Sequence, residues 1–314
     1  MKSITKKTMT IKAKLIFALL LTGAVLGGCK KNEPAAELPM PTAEAVEIGT
    51  GNNKQALRGR DFHLNADVLA GDKIKDVQVK ILQKSGETYT STWKLELSWP
   101  DFNGVKNTNV HKHFTIPKEA PEGKYDFYFI VLDENGTKLE IKVDFTILDP
   151  ANVPVDPKIT RDIFSRNGDM IYYTDTYVEK ELIFKKGDEF TAHAQVNDIK
   201  GNGILYTVLI KRKANYFPES IDNLDFSRAI VISKAEHTDS PAASKLSTLK
   251  LINGVYGGES IIIGAAKDGN EPEAMLITGA KAWESGQYNL VILYKNTTYN
   301  VSAYKSIPIT VDYK

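Results

Sequence analysis

Three histidines carry the most distinctive chemistry in this sequence. Phe62-His-Leu-Asn-Ala-Asp-Val68 alternates apolar with polar residues, the period-two pattern of a strand with one buried face. Phe62, Leu64, Ala66 and Val68 then face a core, and His63, Asn65 and Asp67 face outward. In Val110-His-Lys-His-Phe-Thr-Ile116 the apolar Phe114 and Ile116 face inward, which turns His111 and His113 out. Two residues along a strand span about 6.7 Å, on one side of the sheet. If the two segments are neighbouring strands, three imidazoles share one outer face, a donor set suited to Zn²⁺ or Cu²⁺. A fourth ligand is left open among Asn65, Asp67, Glu119 and water. The plainer alternative is that these histidines are solvated outward side chains, since His-x-His alone is a weak motif.

The elements that must position these residues begin beyond a basic, apolar N-terminus. Residues 1–28 carry five lysines and no acid, and end in the run from Leu15 to Gly28. That is the pattern of a secretory signal. The run is 14 residues long, short of the ~20 that a spanning helix needs. Leu26-Gly-Gly-Cys29 resembles the lipobox of bacterial lipoproteins, which implies cleavage before Cys29 and acylation of this only cysteine. More than one acyl chain gives stable anchoring. The expected location is the bacterial cell envelope, lipid-anchored, with the outer membrane favoured and its face left open.

Removing residues 1–28 takes five of the 40 basic residues and none of the 39 acids. The remaining 286 residues carry a formal charge of −4, which argues against nucleic acid as a partner. Residues 29–45 read as a proline-bearing tether, and 149–157 as a second proline-rich linker. Residues 46–148 and 158–314 then form two domains. Both show short alternating segments separated by turns, so the expected fold is all-β: two tandem immunoglobulin-like β-sandwiches. Asp61–Val68 matches Glu189–Val196 in phase, and Gly123-Lys-Tyr125 matches Gly286-Gln-Tyr288. Gly-x-Tyr before a strand resembles the tyrosine corner of immunoglobulin-like folds. The unequal offsets of the two matches place inserted loops in the second domain, near 215–250, including the polar run from Glu236 to Ser247.

The first domain resembles a known family. Arg58-Gly-Arg-Asp-Phe-His-Leu-Asn-Ala-Asp-Val68, Lys73-Ile-Lys-Asp-Val-Gln-Val79, His111-Lys-His-Phe-Thr-Ile-Pro117 and Ala120-Pro-Glu-Gly-Lys-Tyr-Asp-Phe127 carry the resemblance, ending in Asp133-Glu-Asn-Gly136. They are similar to the immunoglobulin-like domain-of-unknown-function family 4625 of Bacteroidota lipoproteins, over roughly residues 46–148. The resemblance implies a fold and an envelope location, and no activity. The second domain resembles only generic sandwich modules.

No Gly-x-Ser-x-Gly, His-Glu-x-x-His or phosphate-loop pattern is present, and no general base stands beside the histidines in sequence. Trp93, Trp99 and Trp283 could stack on sugars, but core burial is the commoner fate of such residues. The reading is a non-enzymatic, membrane-anchored binding or accessory module for a glycan, a metal or an envelope protein. The alternative is a metal-binding carrier or metal-dependent hydrolase using His63, His111 and His113.

Overall fold

The computed structural model describes residues 37–252 and 255–314. Residues 1–28, read from the sequence as a signal, Cys29 and the first part of the 29–45 segment read as a tether lie outside the described residues. Residues 40–314 form one compact unit. Its elements are strands and short 3₁₀ turns, with no α-helix among the described residues. The fold is all-β.

The first sandwich holds β1 (Thr42–Ile48), β2 (Gln55–Leu57), β3 (Asp61–Leu69), β4 (Ile74–Gln83), β5 (Lys94–Ser98), β6 (Asn107–Thr115), β7 (Gly123–Asp133) and β8 (Lys138–Leu148). A three-stranded sheet ordered β1-β3-β6 packs on a five-stranded sheet ordered β2-β8-β7-β4-β5. Period-two alternation sends Phe62, Leu64, Ala66 and Val68 into the core as the sequence predicts. The Phe62 ring meets Phe114, Phe127 and Phe145 at centroid distances of 5.1, 5.8 and 5.3 Å. The buried Tyr125 hydroxyl donates to the Pro121 carbonyl at 2.6 Å, closing a tyrosine corner four residues long. Trp93 and Trp99 are partly buried and pack against this core.

The second sandwich begins with β9 (Lys158–Arg166), β10 (Asp169–Tyr173), β11 (Thr176–Tyr177), β12 (Ile183–Lys185) and β13 (Glu189–Lys211). It continues with β14 (Ala229–Ser247), β15 (Lys250–Ile252), β16 (Val255–Gly257), β17 (Ser260–Ile262), β18 (Gly286–Asn296) and β19 (Val301–Asp312). The 23-residue β13 organises it. Its first half pairs with β9 and its second half with β18, while β14 runs along its other edge. Register shifts cluster between Asn197 and Gly203. Gly201 there has φ +73°, and a Cβ would come within 2.6 Å of the Thr298 hydroxyl. This bend lets one strand serve both layers of a curled sheet. The Tyr288 hydroxyl donates to the Glu284 carbonyl at 3.0 Å, four residues back, as in the first sandwich. Trp283 packs on this core and donates to the Ala265 carbonyl.

The loops expected near 215–250 are shorter than the sequence suggested. Asn215 to Arg228 is a loop, but Ala229–Ser247 is strand β14. The polar run from Glu236 to Ser247 pairs by its backbone with β13 and leaves most of its side chains in water. Backbone pairing does not need apolar side chains, so composition misled there. Pro241 lies where Gly201 pairs with Ser240 and Ile199 with Ser244, so the residues between bulge out of the ladder, the setting in which a strand tolerates proline.

Candidate metal centre

Register brings the three histidines together. β3 and β6 pair antiparallel with His63 opposite His113 and Asn65 opposite His111. Their ring centroids are mutually 5.2 Å apart. All three project from the outer face of the β1-β3-β6 sheet, as strand phase predicts. His63 is nonetheless only 5% exposed, because the second sandwich covers it. His111 and His113 keep about a third of their side-chain surface in water.

The covering element is the Asn215–Arg228 loop. Its Ile221, Leu224 and Phe226 pack into an apolar cluster on β13 and β18 that includes Val208 and Leu293. The Tyr216 hydroxyl donates to the Asn223 carbonyl and accepts from the Asp225 amide, tying the loop to itself. Lys295 reaches from β18 to Asp222. This anchored loop presents Glu219, 6% exposed, to the histidines. Glu219 Oε1 lies 3.0 Å from His111 Nε2 and 3.1 Å from His113 Nε2. Its Oε2 lies 2.8 Å from His63 Nδ1.

The donor atoms of His63, His111, His113 and Glu219 lie within 4.8 Å of one another. Two ligands about 2.05 Å from a tetrahedral zinc ion are about 3.3 Å apart. The Nε2 atoms of His111 and His113 are 3.3 Å apart, and their distances to Glu219 approach the same edge. Neither ring nitrogen of His63 nor Glu219 Oε2 has an aligned hydrogen bond, although all are buried. Buried polar atoms left without aligned partners call for an explanation, and an ion among them supplies one.

Outer partners are present as well. His113 Nδ1 lies 2.6 Å from Asp61 Oδ2, and His63 Nε2 lies 3.4 Å from Glu47 Oε2. Glu47 in turn accepts from the Gly51 amide and the Asn223 side chain. A carboxylate behind a ligating imidazole fixes its tautomer and raises its basicity.

Electrostatics fit either protons or a cation. Burial alone pulls His63 down, but the Glu219 and Glu47 carboxylates outweigh it and push the imidazole up to about 9. Glu219, against the opposing effect of burial, pushes His113 up to about 8, with help from Asp61. Burial raises Glu219, yet its three imidazole neighbours hold it far below the usual carboxylate range. Two imidazolium ions, or one divalent cation with neutral imidazoles, give the site the same net charge.

The sequence left the fourth ligand open. Asn65 and Asp67 accept from the Asn109 side chain instead, and Glu119 is solvent-exposed; none of them joins the cluster. Glu219, Glu47 and Asp61 were missed. Asp61 heads the same strand as His63, and the 52-residue separation from His113 is bridged only by pairing. Nothing in sequence marks Glu219, which is 108 residues beyond His111.

Residues 28–148 match the family described as Domain of unknown function (DUF4625). No curated protein matches the chain. Among solved structures, dimeric latent PorU from Porphyromonas gingivalis aligns at 12% identity and a TM-score of 0.23, over 88% of this chain and 24% of that one. A tetra-tandem repeat from the extending region of a large adhesion protein aligns at 9% identity and a TM-score of 0.23, over 87% and 49%. The C-terminal domain of the Streptococcus pyogenes antigen I/II-family protein AspA gives 9% identity and 0.23, over 88% and 99%. The chain thus spans about a quarter and about half of the first two. At these TM-scores the likeness decides nothing further. The matched residues hold the first sandwich, with His63, His111 and His113, and their likeness is to the DUF4625 family.

Proposed function

We propose that the protein is a non-enzymatic binding module of the bacterial cell envelope, lipid-anchored through Cys29, whose ligand is a transition-metal ion. Zn²⁺ is the best fit and Cu²⁺ the next. One observation carries this reading: three imidazole nitrogens and a carboxylate converge within 4.8 Å, and those of His111, His113 and Glu219 lie 3.0 to 3.3 Å apart, close to a tetrahedral edge. Four protein donors fill a four-coordinate shell, the pattern of zinc sites that hold structure; sites that do chemistry keep a position open. The carboxylates behind His113 and His63 support the same assignment.

Lipidation rests on the sequence pattern at Leu26 to Cys29, and envelope location follows from it. Protein extracted from membranes in detergent, without chelators, should contain close to one equivalent of zinc or copper by elemental analysis. Its intact mass should show cleavage before Cys29 and added acyl chains, and Cys29→Ala should leave an uncut precursor. Metal-free protein that cannot be reloaded would overturn the metal assignment. A mature mass without acyl groups would overturn the anchor.

A further inference from the structure

We infer that the metal ion is a clasp between the two sandwiches, so that occupancy of the site controls whether they stay docked. This rests on the metal-binding reading above. The ligands come from both sides: His63, His111 and His113 stand on β3 and β6 of the first sandwich, and Glu219 stands on a loop of the second. The two hydrophobic cores are separate. One is drawn from residues between Ala43 and Ile147, the other from residues between Ile159 and Tyr313. Around the cluster the sandwiches meet through polar contacts: Asn223 donates to Glu47, and the Asp222 carboxylate lies against Gly51. The connecting segment 149–157 contains three prolines and is tied back by Arg58 to Asp149 and by Arg60 to Asp156.

Such a junction has no shared core to hold it, so relative motion is the default expectation. An ion can shift the docking equilibrium only by the ratio of its affinities for the docked and undocked forms. Undocked, the first sandwich offers three imidazoles. Docked, it gains the Glu219 carboxylate from a loop already fixed by Tyr216 and Lys295. That preorganisation lets the added ligand act without a further ordering cost. Loss of an outer partner alone weakens metal binding roughly 10- to 100-fold, and losing a direct ligand should weaken it by at least that much. The same factor then favours the docked form when metal is bound.

The test is hydrogen exchange with mass readout on the full chain in detergent, with and without saturating Zn²⁺, alongside a zinc-affinity titration. In the native protein zinc should slow exchange both in 107–115 and in 215–228, the loop by about tenfold or more. In Glu219→Gln, which keeps the side-chain shape, zinc should still bind, more weakly, and protect 107–115 but not the loop. His113→Ala should lose protection in both. Tight zinc binding by the native chain with protection confined to 107–115 would overturn the clasp and leave the metal site standing, as would equal loop protection in Glu219→Gln. Failure of the native chain to bind zinc would overturn the site and the clasp together.

Discussion

Replacing Glu219 by glutamine removes the negative charge on which three imidazoles converge. In the metal-free protein at pH 7 the His63 imidazolium is sustained by Glu219 and Glu47. Without Glu219 the buried ring can escape by losing its proton, which sets a ceiling on the cost. A group pushed up to about 9 holds its proton at pH 7 by about two pH units, or about 2.7 kcal/mol. His113, a third exposed, adds less than about 1 kcal/mol after solvent screening. Because Glu47 still faces His63, the expected loss is at most about 3 kcal/mol, near the low end of the 3–5 kcal/mol typical for breaking a buried pair. For a unit of this size that is about 6–12 °C in Tm. The sign with pH is fixed. A folded-state pKa above the unfolded value of about 6.5 gives stability that is complete below 6.5 and disappears as pH rises through 9. The Glu219→Gln penalty should thus be full at pH 6, and under about 1 kcal/mol at pH 10. Thermal unfolding of both proteins in chelator at pH 6, 7 and 10 measures this. A penalty that is constant with pH, or that grows toward pH 10, would refute the electrostatic account of the cluster.

Zinc binding at pH 7 should release about two protons, since His63 and His113 are both protonated there without metal and ligating imidazoles are neutral. Titration calorimetry in buffers of different ionisation enthalpy reads that number, which should fall toward zero at pH 10. Asp61→Asn leaves His113 without its carboxylate at 2.6 Å and should weaken zinc binding by about 10- to 100-fold, as a competing chelator would report. Tyr125→Phe loses the buried bond to the Pro121 carbonyl and should cost about 1–3 kcal/mol in chemical unfolding, with zinc affinity unchanged.

What was legible in the sequence was whatever local periodicity encodes. Alternation in Phe62–Val68 and Val110–Ile116 placed three histidines on one face, because strand side chains repeat every two residues. Gly123-Lys-Tyr125 and Gly286-Gln-Tyr288 pointed to two tyrosine corners by the resemblance of Gly-x-Tyr to that motif, and both bonds are present. Phase gives a face but not what covers it. His63 reads as an outward residue and is buried, because a loop of the other sandwich lies over it. Glu219 was invisible because its place depends on docking across more than a hundred residues of chain. Glu47 follows a bulge between Glu44 and Glu47, which breaks the alternation that would have assigned it a face. Strand β14 was obscured by polar composition, since its pairing is made by the backbone.

If His63, His111, His113 and Glu219 together hold one metal ion, the ion should be seen bound to all four. A crystal of the zinc-loaded protein, with anomalous data collected on both sides of the zinc absorption edge, tests it directly. One strong anomalous peak is expected about 2.0–2.1 Å from a nitrogen of each of the three histidines and from a Glu219 oxygen. Zinc bound elsewhere on the chain while these four side chains pair only with one another would contradict it.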